Sequence, residues 1–235
     1  MEIPRISKGA PIKIVNISKD ENYHTQINNR KVPLTSCFNT SNIMMLKSAN
    51  DMFEVPAGIQ PEDHLFSHIL HGGNPSKEIL ALRTWLLSKT IEPQTSGSME
   101  QWAINDLLGH EAVKFSTKWK SWDFYFSIVK KIGCTVIGDF PIVRRGRRVT
   151  LGHAVCLVGF STWQTDVFSC DRPSEIDTRL IRSVFIDDPY GNYQSHYQDR
   201  GGNDVEIPRI TFEKILRGDD YFGSRVGIIH KRGQL

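Results

Sequence analysis

An α+β fold in a single domain is predicted by three features of the sequence. Apolar residues recur at helical spacing through the first half, and the pattern changes to strand-like runs after Gly133. The third is length: 235 residues suffice for one sizeable core and are few for two. Hydrophobic residues at 39% and charged residues at 23% fit an ordinary globular chain and exclude both disorder and a fibrous repeat.

Residues 4–36 are rich in Pro, Asn, Lys and Ser and read as an extended lead-in, with one short strand at 12–17. At Cys37 the pattern CFNTSNIMMLKSAN places Phe38, Met45, Leu46 and Ala49 near one helical face, and Thr35 or Ser36 is available as a cap. Cys37 is therefore expected at a helix N-terminus. Residues 76–89, 98–113 and 121–132 read as three further helices between Pro-, Gly- and Ser-containing breaks. Beyond Gly133, CTVIGDFPIV and VTLGHAVCLVGF are β-rich runs around the basic turn RRGRR, which contains Gly146. A third run at 180–186 leads into DDPYGNY, and a short helix at 211–216 and a strand at 225–230 close the chain. This half predicts an antiparallel sheet.

A net charge of +3 and a pI near 8.6 favour mildly acidic partners, such as an anionic polymer, and argue against a committed nucleic-acid binder. Arg144, Arg145, Arg147 and Arg148 fit a solvated hairpin tip better than a phosphate grip. Cys37, Cys134, Cys156 and Cys170 contain no CxxC pair, which predicts free thiols in a reducing compartment. The first twenty residues lack the apolar run of a signal peptide, and no stretch has the length of a membrane span. Synthesis in the cytoplasm is expected, with export, if any, by another route. His64, His68 and His71 recur at i, i+4 and i+7, as three metal ligands or a polar helix face would; without HExxH the polar face is favoured. Trp85, Trp102, Trp119 and Trp122 are core candidates at helical positions, and Trp163 is a candidate for the rim of a site.

Thiol chemistry needs a nucleophile held as thiolate, an imidazole beside it, a group that orients the imidazole, and donors for an oxyanion. Each requirement has a candidate. Cys37 at a helix N-terminus would meet the positive end of the helix dipole, which favours thiolate. His153 follows Gly152 on a strand, so little bulk blocks its ring. Asp187 and Asp188 end the next strand, where an antiparallel neighbour can set a carboxylate beside that ring; alternation lets only one of them face it. Gln26 is placed to supply a side-chain amide to an oxyanion hole, together with the backbone N–H of Cys37.

Three separated motifs carry a family resemblance. QINNRKVPLTSC with its continuation FNTSNIMML resembles the opening motif of the C39-like cysteine peptidases, a papain-like group. IVKKIGCTVIG followed by GHAVCLVGF resembles their apolar strand and Gly-His strand, and FIDDPYGNY resembles their Asn-Asp-Pro-Tyr-Gly box, with Asp187 where the family often has Asn. The resemblance implies Gln26 for the oxyanion, Cys37 as nucleophile, His153 as base and Asp188 as the orienting aspartate, with no metal or organic cofactor. It also implies a papain-like fold over residues 1–235, an N-terminal helical part packed on an antiparallel sheet, and a monomer. The stretch at about 50–120 is then a helical insertion that shapes the cleft. The expected activity is cysteine endopeptidase, with peptidoglycan cross-links of a phage or bacterial lysin as the favoured substrate. A protein-processing peptidase and a non-catalytic binding protein on the same scaffold are the alternatives.

Overall fold

A computed structural model describes residues 11–30, 35–88, 95–116, 121–216 and 226–233; the side chains of Ser121, Trp122, Ile142, Arg144 and Val226 lie outside the description. The architecture is α+β. Six α-helices and seven strands are found among the described residues: β1 (Lys13–Asn16), α1 (Cys37–Ser48), α2 (Pro61–His71), α3 (Lys77–Leu87), α4 (Gly97–Leu108), β2 (Val113–Ser116), α5 (Ser121–Val129), β3 (Cys134–Arg144), β4 (Arg147–Thr162), β5 (Ile181–Asp187), β6 (Val205–Pro208), α6 (Arg209–Leu216) and β7 (Val226–His230).

The strands form one antiparallel sheet in the order β2-β7-β3-β4-β5-β6. Its spine is the β3–β4 hairpin, whose turn has Arg145 at φ 52° and Gly146 at φ 73°. Two successive positive φ values match the right-handed twist of the strands they join, and glycine adopts one without Cβ strain. The sixteen residues of β4 outrun β3, and β1 pairs with its far end, from Asn16 opposite Gly159 to Lys13 opposite Thr162.

Both faces of the sheet are covered, because alternate side chains of β4 enter different cores. Val155 and Leu157 join Phe124, Phe126, Phe212 and Ile215 from α5 and α6. Ala154, Cys156 and Val158 join Ile43, Met44, Leu65, Ile79 and Ile104 from α1 to α4. A register shift between Leu157 and Gly159 then reverses the alternation, so that Phe160 falls in the α5/α6 core.

The structure departs from the sequence-based expectation at four places. Helix α1 is buried along nearly its whole circumference, from Phe38 to Leu46, so one apolar face does not describe it. The helix expected to reach residue 113 stops at Leu108, where Gly109 takes φ 71° as its C-cap, and Val113–Ser116 instead forms β2 against β7. The 50–120 stretch is therefore partly sheet. Trp85 is 56% exposed and does not enter the core. Trp163 lies ten positions beyond His153, just past the end of β4, which puts it roughly 30 Å from that imidazole and away from the site. Trp119 and residues 31–34 of the opening motif fall outside the described residues.

Candidate active site

Cys37 is the first residue of α1, with Ser36 at the N-cap. The Ser36 hydroxyl does not cap the helix; it accepts from Asn29 Nδ2 at 2.6 Å, while the same amide reaches Thr40 Oγ1 at 3.2 Å. This buried bond ties the lead-in segment to the start of the helix. Cys37 is partly exposed, whereas Cys134, Cys156 and Cys170 are buried. Burial pushes the Cys134 and Cys156 thiols well above the usual range and raises that of Cys170, so these three remain protonated.

His153 sits on β4 opposite Gly138. Its Nε2 meets Asp188 Oδ1 at 2.7 Å, and Cys37 is near enough for its side chain to act on the protonation of the ring. An ionised carboxylate only accepts, so Nε2–H donates to Asp188 and Nδ1 is the nitrogen left for the thiol. Burial alone would pull His153 down; the charge and hydrogen bond of Asp188, followed by the hydrogen bond and charge of Cys37, outweigh it and raise its pKa to about 10. The ring is thus held as imidazolium at neutral pH, the partner a thiolate requires.

Asp188 is fully buried and held from several sides. Its Oδ1 also accepts from Tyr190 N at 2.9 Å, and its Oδ2 receives a long bond from the Tyr197 hydroxyl at 3.4 Å. Its backbone N–H donates to Gly202 O at 2.7 Å, and its carbonyl accepts from the Tyr23 hydroxyl at 3.0 Å. Gly202 packs so closely that an added Cβ would stand 1.9 Å from Asp188 O. Asp187 is turned elsewhere: its Oδ1 accepts from Ser18 Oγ at 2.8 Å and from Asp204 N at 2.9 Å. Burial raises the Asp187 pKa to about 6 against these two bonds. Of the adjacent carboxylates, Asp188 is the one that meets the imidazole.

Gln26 is buried in a short 3-10 turn, and its N–H donates to Pro189 O at 2.9 Å. Three residues on, Asn29 is bonded to Ser36. Gln26 therefore sits on a segment fastened at one end beside Asp188 and at the other beside Cys37.

An aromatic wall surrounds His153. Phe140 meets the imidazole edge-on at 5.3 Å between centroids, and Tyr197 does so at 6.0 Å. Tyr193 packs on Phe140 at 5.4 Å and Tyr190 on Tyr197 at 4.9 Å. Burial, followed by the charge of Asp188, pushes the Tyr197 hydroxyl far above its usual range, so it stays a neutral donor. Tyr197 and its neighbour His196 both take positive φ, 62° and 53°, which are costly conformations for such side chains and aim the ring inward. The sequence signal is the run of tyrosines within and just after DDPYGNY; three of the rings come from a loop that folds back at Gly202, and Phe140 comes from β3.

The three histidines lie on α2 and are not brought together as a cation site; among the described residues no group of three candidate ligands is assembled. His68 instead meets Asp106 at 2.7 Å and stacks on Trp102. No described helix is long and apolar enough to cross a membrane. Comparisons with protein-family models, with curated proteins and with solved structures find no match to this chain.

Proposed function

We propose that the chain is a cysteine peptidase of the papain-like, C39-like kind. The observation that carries this reading is the 2.7 Å contact of His153 with Asp188 near Cys37 at the start of α1, which leaves the second ring nitrogen for the thiol. Cys37 as thiolate attacks a peptide carbonyl. The Cys37 N–H at the helix start and the Gln26 amide stabilise the oxyanion, and His153 protonates the leaving amine. Water, activated by the now neutral His153, then hydrolyses the thioester. Asp188 keeps the ring oriented throughout.

The favoured substrate is a peptidoglycan cross-link, with the protein made in the cytoplasm and acting on the wall after release. The basic net charge of +3 supports an anionic wall as partner. A protein-processing peptidase is the second reading, supported by the same contact. The contact of His153 with Asp188 counts against the non-catalytic alternative. The test is turbidity loss and amine release from purified cell walls, comparing wild type with Cys37→Ala. Activity in the wild type and its loss in the variant support the wall substrate; cleavage of a denatured protein but not of walls selects the second reading.

A further inference from the structure

We infer that Glu62 on α2 is a positioning residue: through His24 it fixes the strap of chain that carries Gln26, and so sets how firmly the oxyanion is held. This rests on the peptidase reading and gives α2 a part in the site. Residues 23–30 are fastened on three sides. Towards the end of β5, the Tyr23 hydroxyl donates to Asp188 O at 3.0 Å, and the Thr25 hydroxyl and Gln26 N–H both donate to Pro189 O, at 3.1 and 2.9 Å. Towards α1, Asn29 reaches Ser36 and Thr40. The third side is α2. His24 Nδ1 meets Glu62 Oε1 at 2.5 Å, and the Arg30 N–H donates to Asp63 Oδ2 at 3.3 Å. Gln26 lies between these two attachments, two residues after His24 and four before Arg30.

Glu62 and Asp63 belong to the first turn of α2, just after Pro61, where the free N–H groups of the helix start favour carboxylates. Glu62 is 2% exposed, so little water is left to solvate its charge, and the imidazole of His24 supplies a donor instead. An ionised carboxylate only accepts, so Nδ1–H donates. Without this bond, residues 23–26 are fastened chiefly at Asp188 and Pro189, and the strap is free to pivot there. A displacement of about 1 Å in an oxyanion donor is enough to lose most of its effect.

The test uses the full chain as wild type, Glu62→Ala, Glu62→Gln, His24→Ala, Gln26→Ala and Glu62→Ala/Gln26→Ala. The probe is the small neutral aldehyde N-acetylglycinal, read by how far it protects Cys37 from iodoacetamide. The thiolate adds to the aldehyde carbon, the carbonyl π pair moves to oxygen, and that oxygen takes the proton of His153, giving a reversible hemithioacetal that draws on the oxyanion donors. Iodoacetamide instead loses iodide from a methylene and develops no such oxyanion. The half-protecting aldehyde concentration should rise about tenfold in Glu62→Ala and in His24→Ala, while the rate with iodoacetamide alone stays within about twofold. Glu62→Gln, whose amide oxygen still accepts from His24, should stay close to wild type. In the Gln26→Ala background, Glu62→Ala should add less than about twofold, because the strap then carries no donor to misplace. Full protection in folded Glu62→Ala and His24→Ala, independent effects in the double variant, or no protection even of a fast wild-type Cys37 would overturn the strap. A wild-type Cys37 no faster with iodoacetamide than the thiols of the unfolded chain would instead overturn the peptidase reading, whatever the aldehyde does.

Discussion

His153 Nε2 stands 2.7 Å from Asp188 Oδ1, whereas the neighbouring Asp187 bonds Ser18 and Asp204 on another side of the strand end. Two carboxylates adjacent in sequence thus have separate roles. If the proposed peptidase reading holds, Asp188→Asn should lower turnover by about 10²- to 10⁴-fold, because an amide can present its N–H to Nε2 and favour the wrong tautomer. Asp187→Asn should leave turnover within about threefold, since the Asp187 carboxyl bonds Ser18 and Asp204 rather than the imidazole, and an amide oxygen can still accept both bonds. Rates for the two variants on one peptide substrate check the pair.

The raised pKa of His153 fixes the sign of a stability effect. A group bound to its proton more tightly in the fold stabilises fully below its unfolded value, 6.5, and this contribution is lost as pH rises through about 10. Melting temperature between pH 7 and 10 should fall more steeply for wild type than for His153→Gln. Equal slopes would contradict the His153–Asp188 electrostatics.

Glu100 on α4 is fully buried, bonded to Asn42 Nδ2 at 3.0 Å and to the Thr95 hydroxyl. Burial raises its pKa to about 7, against the two hydrogen bonds, so the fold favours the neutral acid. Stability should be complete below the ordinary value of 4.5 and decline as pH rises through about 7, by roughly 3 kcal/mol. Glu100→Gln should flatten this slope in denaturant titrations at pH 5 and 8, without changing the reactivity of Cys37.

Much of this site was legible because its signals are local. A cysteine opening a helix, a Gly-His strand and two carboxylates at a strand end each follow from a few adjacent residues, and strand alternation reduces Asp187 and Asp188 to one choice. The β3–β4 turn was legible for the same reason. What escaped depends on long-range closure: β2 exists because β7 pairs with it, and Tyr190, Tyr193 and Tyr197 converge because the loop after Asp188 returns to Gly202. Ser36 matched a cap by type, but Asn29 holds its hydroxyl. Trp85 matched a core position by period, yet α3 turns that side outward.

Gly202→Ala should cost about 1–3 kcal/mol of stability and reduce turnover, because the new methyl overlaps Asp188 O, 1.9 Å from the ideal Cβ position. Melting temperature and rate should fall together. A neutral substitution would show that the loop can withdraw without moving Asp188.

Tyr197→Phe keeps the ring against His153 and removes only a 3.4 Å bond, so its turnover should drop less than about fivefold. Tyr197→Ala opens the wall to water and should lower kcat by about 10- to 100-fold with KM little changed. Equal effects of the two variants would assign the role to the hydroxyl.

The most direct test of the Cys37–His153 pair is the rate of Cys37 alkylation by iodoacetamide at about pH 6, read by peptide mapping in wild type and His153→Ala. Wild-type Cys37 should be labelled first among the four cysteines, and the variant should lose this advantage at least tenfold while still folding. Labelling of Cys134, Cys156 or Cys170 ahead of Cys37, or an unchanged Cys37 rate in the variant, would contradict the pairing.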